Sequence, residues 1–290
     1  MSVPPKEQND LIWSDDRGRS WRNPSPLAAI GSLLRNWSLI YNLSRREVLG
    51  RYQASIMGVL WSFITPALML AVYTFFFGVV FKARWPRMGD SNAEFALILF
   101  SGLLVYNLFS ECVTRAPSLV VANSNFVKKV VFPLEILPWV NLASGLFHAF
   151  VTFLVWLLFY TMFMGLPHWT VILAPIAVLP LLILILGLSW LLSSLGVFLR
   201  DIGQLVIPIT AALLFLSPIF YPLEILSGPM RAIIGASPLT HAVEAVRGTL
   251  MWGESIDWDV WLGYLIIALA VAFLSFAWFQ KTKKGFADVL

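Results

Sequence analysis

Apolar residues are gathered along this chain into long uncharged runs, and the charged residues are confined to the short stretches between them. Residues 52–81 contain no Asp, Glu, Lys or Arg. A hydrocarbon core about 30 Å thick is crossed by about 20 helical residues, so this run is long enough to span it. A bilayer offers the backbone no hydrogen-bond partners, so the run is predicted to be helical, with Pro66 as its kink. A second run, 95–121, carries Glu111 and Arg115 near its end, four residues apart and able to pair on one helical face. Residues 136–199 are again uncharged, too many for one helix and right for two, divided by the turn GLPHW at 165–169. A fifth run, 202–223, holds Pro208, Pro218 and Pro222, and the last, 260–279, is closed by Lys281, Lys283 and Lys284. The pattern predicts an all-α polytopic membrane protein with six transmembrane helices, at about 55–81, 95–121, 138–165, 169–199, 202–223 and 260–279.

Two segments outside these runs have patterns of their own. Between 27 and 53, Ile30, Leu33, Leu34, Trp37, Ile40 and Tyr41 recur at helical spacing, with Arg35, Ser38, Asn42, Arg45 and Arg46 on the opposite stripe. That is an amphipathic helix lying in the membrane interface ahead of the first span. Between the fifth and sixth runs, YPLEILSGPMRAIIGASPLTHAVEAVRGTLMWGESIDWD is too apolar for a plain loop. Ser237 before Pro238 reads as an N-cap with Pro at the first helical position, and Ala242, Val243, Val246 and Leu250 form a stripe. Two short re-entrant half-helices are expected there on the outer side, with their irregular backbone buried in protein or lining a wet cavity. An element so placed can close a pathway.

The composition, 59% hydrophobic and 12% charged over 290 residues, excludes a soluble domain with a polar surface. A net charge of +4 would suit a nucleic-acid partner, but the basic residues flank apolar runs and read as topology determinants, so no nucleic acid is expected. Six spans put both termini on one side; the segments on that side hold 15 Lys and Arg against 5 on the other, which places both ends in the cytoplasm. Residues 1–26, with Lys6, Asp10, Asp15, Asp16, Arg17, Arg19 and Arg22, have no apolar core and are read as a flexible cytoplasmic tail rather than a secretory signal. The interface helix then occupies 27–53 and the transmembrane domain 54–290. Cys112 is alone, so no disulfide forms within the chain. No repeat of fixed period stands out, and the spans do not divide into two similar halves.

Catalytic and energy-coupling constellations are sparse. No G-x-x-x-x-G-K-[ST] phosphate loop occurs. His148, His168 and His241 are scattered, and a lone apolar-face histidine such as His148 reads as a hydrogen-bonded packing residue rather than a metal ligand. Glu254, Asp257 and Asp259 read as an acidic solvated loop on the outer side rather than a cation site. Glu111 lies near the inner boundary, so no carboxylate is placed to relay protons at mid-membrane. Energy for transport is expected from a partner or from the substrate's own gradient.

Three stretches are informative together: RREVLGRYQASIMGVLWSFITPALML at 45–70, NSNFVKKVVFPLEILPW at 123–139, and PLTHAVEAVR, which fits Pro, apolar, any, His, five residues, Arg. They resemble, in order, the interface helix leading into the first span, the cytoplasmic loop after the second span, and an outer motif of the membrane subunit of ABC-2 type exporters. The likeness is to those that move bacterial surface polysaccharides such as O-antigen, teichoic acid or capsule, and it runs over nearly the whole chain after residue 27. This resemblance implies a multi-pass homodimer in the bacterial cytoplasmic membrane, with twelve spans around a channel, docked on two copies of a separate cytoplasmic ABC ATPase. ATP and Mg then belong to that partner, with no cofactor or metal on this chain. It also implies a substrate made of polysaccharide on an undecaprenyl pyrophosphate-like lipid. Apart from the resemblance, the re-entrant segment is read as an outer gate at Pro218, Pro222, Pro238, His241 and Arg247.

Beside that resemblance, Asn125, Phe126, Lys128, Lys129 and Pro133 form a basic inner loop with an apolar knob. An aromatic side chain with flanking charges is a usual hot spot for a partner, here the ATPase; enforcement of topology is the other reading of Lys128 and Lys129. Arg45, Arg46 and Arg51 stand where a headgroup would be met, and guanidinium forks match pyrophosphate oxygens, with membrane lipid in general as the competing ligand. Sugar C–H surfaces stack on aromatic faces. Trp37, Trp85, Trp139, Trp169, Trp258, Trp261 and Trp278 sit near predicted boundaries, where an interfacial belt accounts for them. The deeper Trp61, Tyr73, Phe76, Trp156, Trp190 and Phe220 are the channel candidates, Trp61 and Tyr73 first, with helix packing as the alternative for each.

The expected function is therefore the permease subunit of an ATP-driven polysaccharide exporter. The alternatives are an ABC-2 drug or small-lipid exporter permease and, from another class, a membrane-embedded transferase acting on lipid-linked sugars. The transferase would need carboxylates facing the membrane surface, whereas the acidic cluster is the outer 254–259 loop.

Overall fold

Where side chains supply no polar partners, the backbone must bond to itself, and the regular structure of the described residues is helical throughout. The structure, a computed structural model, describes residues 26–53, 57–80, 85, 91–128 and 132–290. The expected tail at 1–26 lies, apart from Pro26, outside the described residues, as do Lys82, Arg84, Arg87 and Lys129. The helices are α1 (Pro26–Arg35), α2 (Trp37–Gly50), α3 (Trp61–Tyr73), α4 (Asn92–Arg115), α5 (Ser124–Lys128), α6 (Leu137–Phe163), α7 (Ala174–Phe198), α8 (Ile202–Leu216), α9 (Gly228–Gly235), α10 (Pro238–Arg247), α11 (Trp258–Thr282) and α12 (Phe286–Val289). Four helical stretches among the described residues are long and apolar enough to cross a membrane: Asn92–Ser118, Leu134–Phe163, Trp169–Phe198 and Trp258–Val289. Trp61–Phe77 and Ile202–Leu216 are shorter apolar helices.

The centre of the bundle is α4, whose residues from Phe95 to Leu103 are buried without a break. It packs on α6, α7, α8 and α10, and α7 in turn runs against α11. That last pairing depends on Gly187: a Cβ there would stand 2.8 Å from the Ala272 Cα, so only hydrogen lets the two backbones approach.

Two boundaries differ from the expectation. The single helix at 27–53 is two helices, interrupted at Asn36, whose side-chain amide donates to the Ser32 carbonyl at 2.9 Å. Its buried stripe is Ile40, Ser44 and Val48, with Ile40 packed on Ile136 and Val140, while Leu34, Trp37 and Tyr41 remain 59–71% exposed. The amphipathic segment thus has two apolar edges; the bundle takes one, and the other is left facing outward. The fifth run ends at Leu216 rather than 223, because Ser217 precedes Pro218 and the proline ring drives it into the extended region (φ −90°, ψ 150°). The first run carries Pro66 inside α3 and continues from Thr74 to Val80 in wider π-helical turns.

Beyond Pro218 the chain folds into α9 and α10, and α10 passes into another wide turn, Gly248–Trp252. Gly253 ends it at φ +68°, a left-handed conformation that favours glycine, with the His168 ring against its α-carbon. Thr170, at the start of the third long stretch, donates to the Thr249 carbonyl at 2.7 Å and ties the hairpin tip to this turn.

Gly187→Val is expected to wedge α7 from α11 and cost about 1–3 kcal/mol, the usual penalty of overpacking. Thermal unfolding of the purified protein in detergent checks this, and an unchanged midpoint would show that the helices approach less closely than described.

Candidate functional site

Among the described residues, two clusters of polar groups stand at the two ends of α4. The first is the elbow where α2 gives way to the first apolar run. Arg51 pairs with Glu111 of α4 at 2.6 Å, and Glu111 also lies 2.9 Å from Nδ1 of His148 on α6. A carboxylate only accepts, so Nδ1 carries a proton toward Glu111, and Nε2 lies 3.3 Å from the Tyr52 hydroxyl. The approach of Arg51 to Nδ1 at 3.2 Å is then between two donors, and it is Glu111 that reconciles them. One turn further along α4, Arg115 pairs with Glu47 of α2 and lies 3.8 Å from Glu111. The pairing anticipated for Glu111 and Arg115 is present, but each has a closer partner on the interface helix. Arg45 and Arg46 of α2 are exposed.

Beside this network is a cavity of about 270 Å³ lined by Arg46, Glu47, Arg115, Ser118 and Asn123 on its polar side and by Leu43, Leu119, Phe126, Leu137 and Val140 on its apolar side. Phe126 is not the bare knob expected, since its ring stacks on Phe132 at 4.3 Å and it is half-buried. Asn125 is exposed, Pro133 precedes the tight turn Leu134–Ile136, and Lys128 is the last residue of α5.

The second region is at the other end of α4. Arg247 has no exposed surface, and its guanidinium is satisfied from four directions. Nη1 donates to Glu244 at 2.6 Å, Nε to the Ile98 carbonyl and Nη2 to the Ile219 carbonyl at 3.4 Å each, and the group lies 4.6 Å from the Trp85 ring centre. Gly102 makes the room, since a Cβ there would meet Nη2 at 2.7 Å. Arg247 therefore joins α10 to α4 and to the bend after Pro218. Pro218 and Pro222 are buried in that bend, and Pro238 and His241 are half-buried at the start of α10. The His241 ring stacks on Tyr264 of α11 at 4.4 Å, and burial holds its imidazole below the usual histidine range, partly opposed by Asp257.

The aromatic candidates separate into two groups. Trp156 and Trp190 are fully buried, donating to the Leu97 and Glu135 carbonyls at 3.2 and 3.1 Å, and act as packing residues. Trp61 and Phe76 are exposed. Tyr73, Phe77, Phe220 and Phe215 form a row with centres 6.4, 5.3 and 5.8 Å apart, joining the first apolar run to the bend after α8.

Sequence reasoning missed Trp85, assigned to an interfacial belt but buried beneath Arg247, and Glu135, whose buried side chain pairs with Lys283 at 2.6 Å. The one signal for Glu135 was its place as a lone carboxylate at the edge of a long uncharged run.

Comparison with known proteins bears on both regions. A family profile described as "ABC-2 type transporter" matches residues 38–251, which includes the elbow, the inner loop and Arg247. The chain is 24% identical over 252 residues to the "O-antigen export system permease protein RfbA" of Myxococcus xanthus, covering 86% of this chain and 94% of the relative. It is 26% identical over 259 residues to the protein of the same name from Klebsiella pneumoniae, covering 88% and 95%. It is also 28% identical over 219 residues to the "Daunorubicin resistance ABC transporter permease protein DrrB1" of Streptomyces coeruleorubidus, covering 72% and 74%.

Arg247→Met would leave two buried carbonyls without their donor. A loss of about 1–3 kcal/mol is expected for such groups, read as a lower unfolding midpoint of the purified protein by tryptophan fluorescence. An unshifted midpoint would mean that the guanidinium holds nothing together.

Proposed function

The chain belongs to the ABC-2 type transporter family, and on that premise we propose that it is the permease subunit of an ATP-driven exporter that moves a lipid-linked, O-antigen-like polysaccharide across the bacterial cytoplasmic membrane. The observation that carries this reading is its similarity to O-antigen export permeases over 94–95% of their length. The similarity to the daunorubicin resistance permease spans a smaller share of both chains.

In this reading the four long helices, together with Trp61–Phe77 and Ile202–Leu216, make six spans, with both termini in the cytoplasm and α9 and α10 re-entrant from the outer side. Residues 1–26 are a tail, 27–53 lie in the interface, and 54–290 form the transmembrane domain. Two copies enclose the channel and dock on a dimer of a separate ABC ATPase, which holds ATP and Mg while this chain holds no cofactor. The short lengths and exposed side chains of α3 and α8 support their position next to the second copy, where apolar surface finds cover.

The ATPase meets α2 and the inner loop, with Asn125, Phe126, Lys128, Lys129 and Pro133 as contacts. Its movement passes into α4 and α6 through the paired charges of Arg51, Glu111 and His148, which make the elbow and the two helices one body. Arg45, Arg46 and Arg51 receive the pyrophosphate of the lipid carrier; for Arg46 the cavity between α2 and the inner loop supports this, because Arg46 lines it beside an apolar wall. Trp61, Tyr73, Phe76 and Phe220 provide faces along which the polymer slides. Pro218, Pro222, Pro238, His241 and Arg247 form the outer gate, in which the buried guanidinium fixes the closed position of α10.

Phe126→Ala combined with Lys129→Ala is expected to weaken capture of the co-expressed ATPase by about tenfold or more, the effect of losing a hot spot. Unaltered assembly and transport would remove both residues from the interface. Arg51→Gln should lower substrate-stimulated ATP turnover more than basal turnover, and equal loss of the two would take Arg51 out of headgroup recognition.

A further inference from the structure

The segment that follows α11 is fastened to both flanks of the inner loop. On one flank, Lys283 reaches the Glu135 carboxylate at 2.6 Å across 148 residues of sequence. The Glu135 side chain is 5% exposed and that of Lys283 14%, so the pair is nearly out of water. Glu135 is gripped a second time through its backbone, whose carbonyl accepts from the Trp190 indole at 3.1 Å, and Trp190 is packed edge-on against Phe276 of α11. On the other flank, α12 rests on α5 and α7. Phe286 has no exposed surface and lies against Phe198 of α7 and Phe279 of α11, with ring centres 5.9 and 5.5 Å away.

A nearly dry ion pair is a costly way to hold two helices together, since apolar side chains of the same volume do so with less desolvation. What a charged pair adds is a fixed distance and direction at one position. Here it stands between the start of α6 and the end of α11, directly behind the loop assigned to the ATPase.

We infer that residues 283–290 act as a clamp on the inner loop, with Glu135, Lys283 and Phe286 as positioning residues for energy coupling. A push on α5 reaches α7 and α11 through Phe286, and a push on the end of the inner loop reaches α11 through Glu135 and Lys283. The loop cannot yield without carrying the spans with it, so the partner's stroke moves the bundle. This rests on the reading of the chain as an ATPase-driven permease.

The test uses the full-length chain co-expressed with its ATPase, and compares Lys283→Glu, Glu135→Lys and the double exchange. In each, the measurements are ATPase co-purification, basal ATP turnover, and polymer exported per ATP hydrolysed. Each single reversal should leave the ATPase bound and basal turnover within about twofold, yet lower export per ATP about tenfold; the double exchange should bring it back to within about threefold, the signature of coupled residues in a mutant cycle. A merely structural role would lower the amount of complex without changing export per ATP. Wild-type export per ATP in both single variants, or a double exchange no better than either of them, would overturn the clamp. Should a reversal fail to accumulate, Lys283→Gln and Phe286→Leu are judged by the same ratio, and an unchanged ratio in both overturns it equally. If the unaltered chain captures no ATPase at all, it is the permease reading that fails, and the two failures are thereby distinguished.

Discussion

A charge inside an apolar bundle has to carry its counter-charge with it. Leaving water costs several kcal/mol per ion, and removal of one partner strands the other. In this chain that requirement shapes the connections between segments. Glu135 with Lys283, and Arg247 with the Ile98 and Ile219 carbonyls, meet it nearly or wholly out of water, while Arg51 with Glu111 and Arg115 with Glu47 keep 21–34% of their side-chain surface exposed; each joins a spanning helix to a segment outside it or to a helix far along the chain. Apolar contacts hold the long helices beside one another, but they are indifferent to small slides along the axis. The ionic contacts are directional and set where the elbow, the inner loop and the α9–α10 element sit.

Such a division suits a passive conduit worked from outside. Close helix contacts such as that of Gly187 with Ala272 make α7 and α11 one stiff unit. The charged contacts cluster at the two ends of α4, one where a cytoplasmic partner is proposed to push and the other where an outer gate is proposed to open. Between them α4 is buried almost throughout, so displacement at its Arg115 end is carried to Ile98, whose carbonyl is held by Arg247. Close packing transmits such shifts because it cannot absorb them.

Much of the fold was legible as runs of uncharged residues. A stretch of the right length without charge has few stable options in a bilayer: the second, third and fourth runs became long helices within a few residues of their expected bounds, and the last became α11, Trp258–Thr282, with further helical turns after it. The fifth run overshot because hydropathy does not register the effect of a proline on the residue before it, here Ser217. The amphipathic segment was recognised, but not which part of its apolar stripe packs on protein: Ile40 and Val48 face the bundle and Trp37 faces out, and a periodic pattern cannot say which of two apolar edges meets protein.

For the site, sequence by itself determined the inventory: which cations flank which run, that Arg247 follows His241 at a set spacing, that no phosphate loop is present. Only the tertiary structure decided the partners. Glu111 meets Arg51 and His148, Lys283 meets Glu135, Trp85 lies under Arg247, and Trp156 and Trp190 turn from channel candidates into packing residues. The reason is that hydrophobicity and helix formation act over a few turns of chain and are written in local composition. The pairing of charges depends on which distant helices the close contacts bring together, and no local pattern encodes that distance.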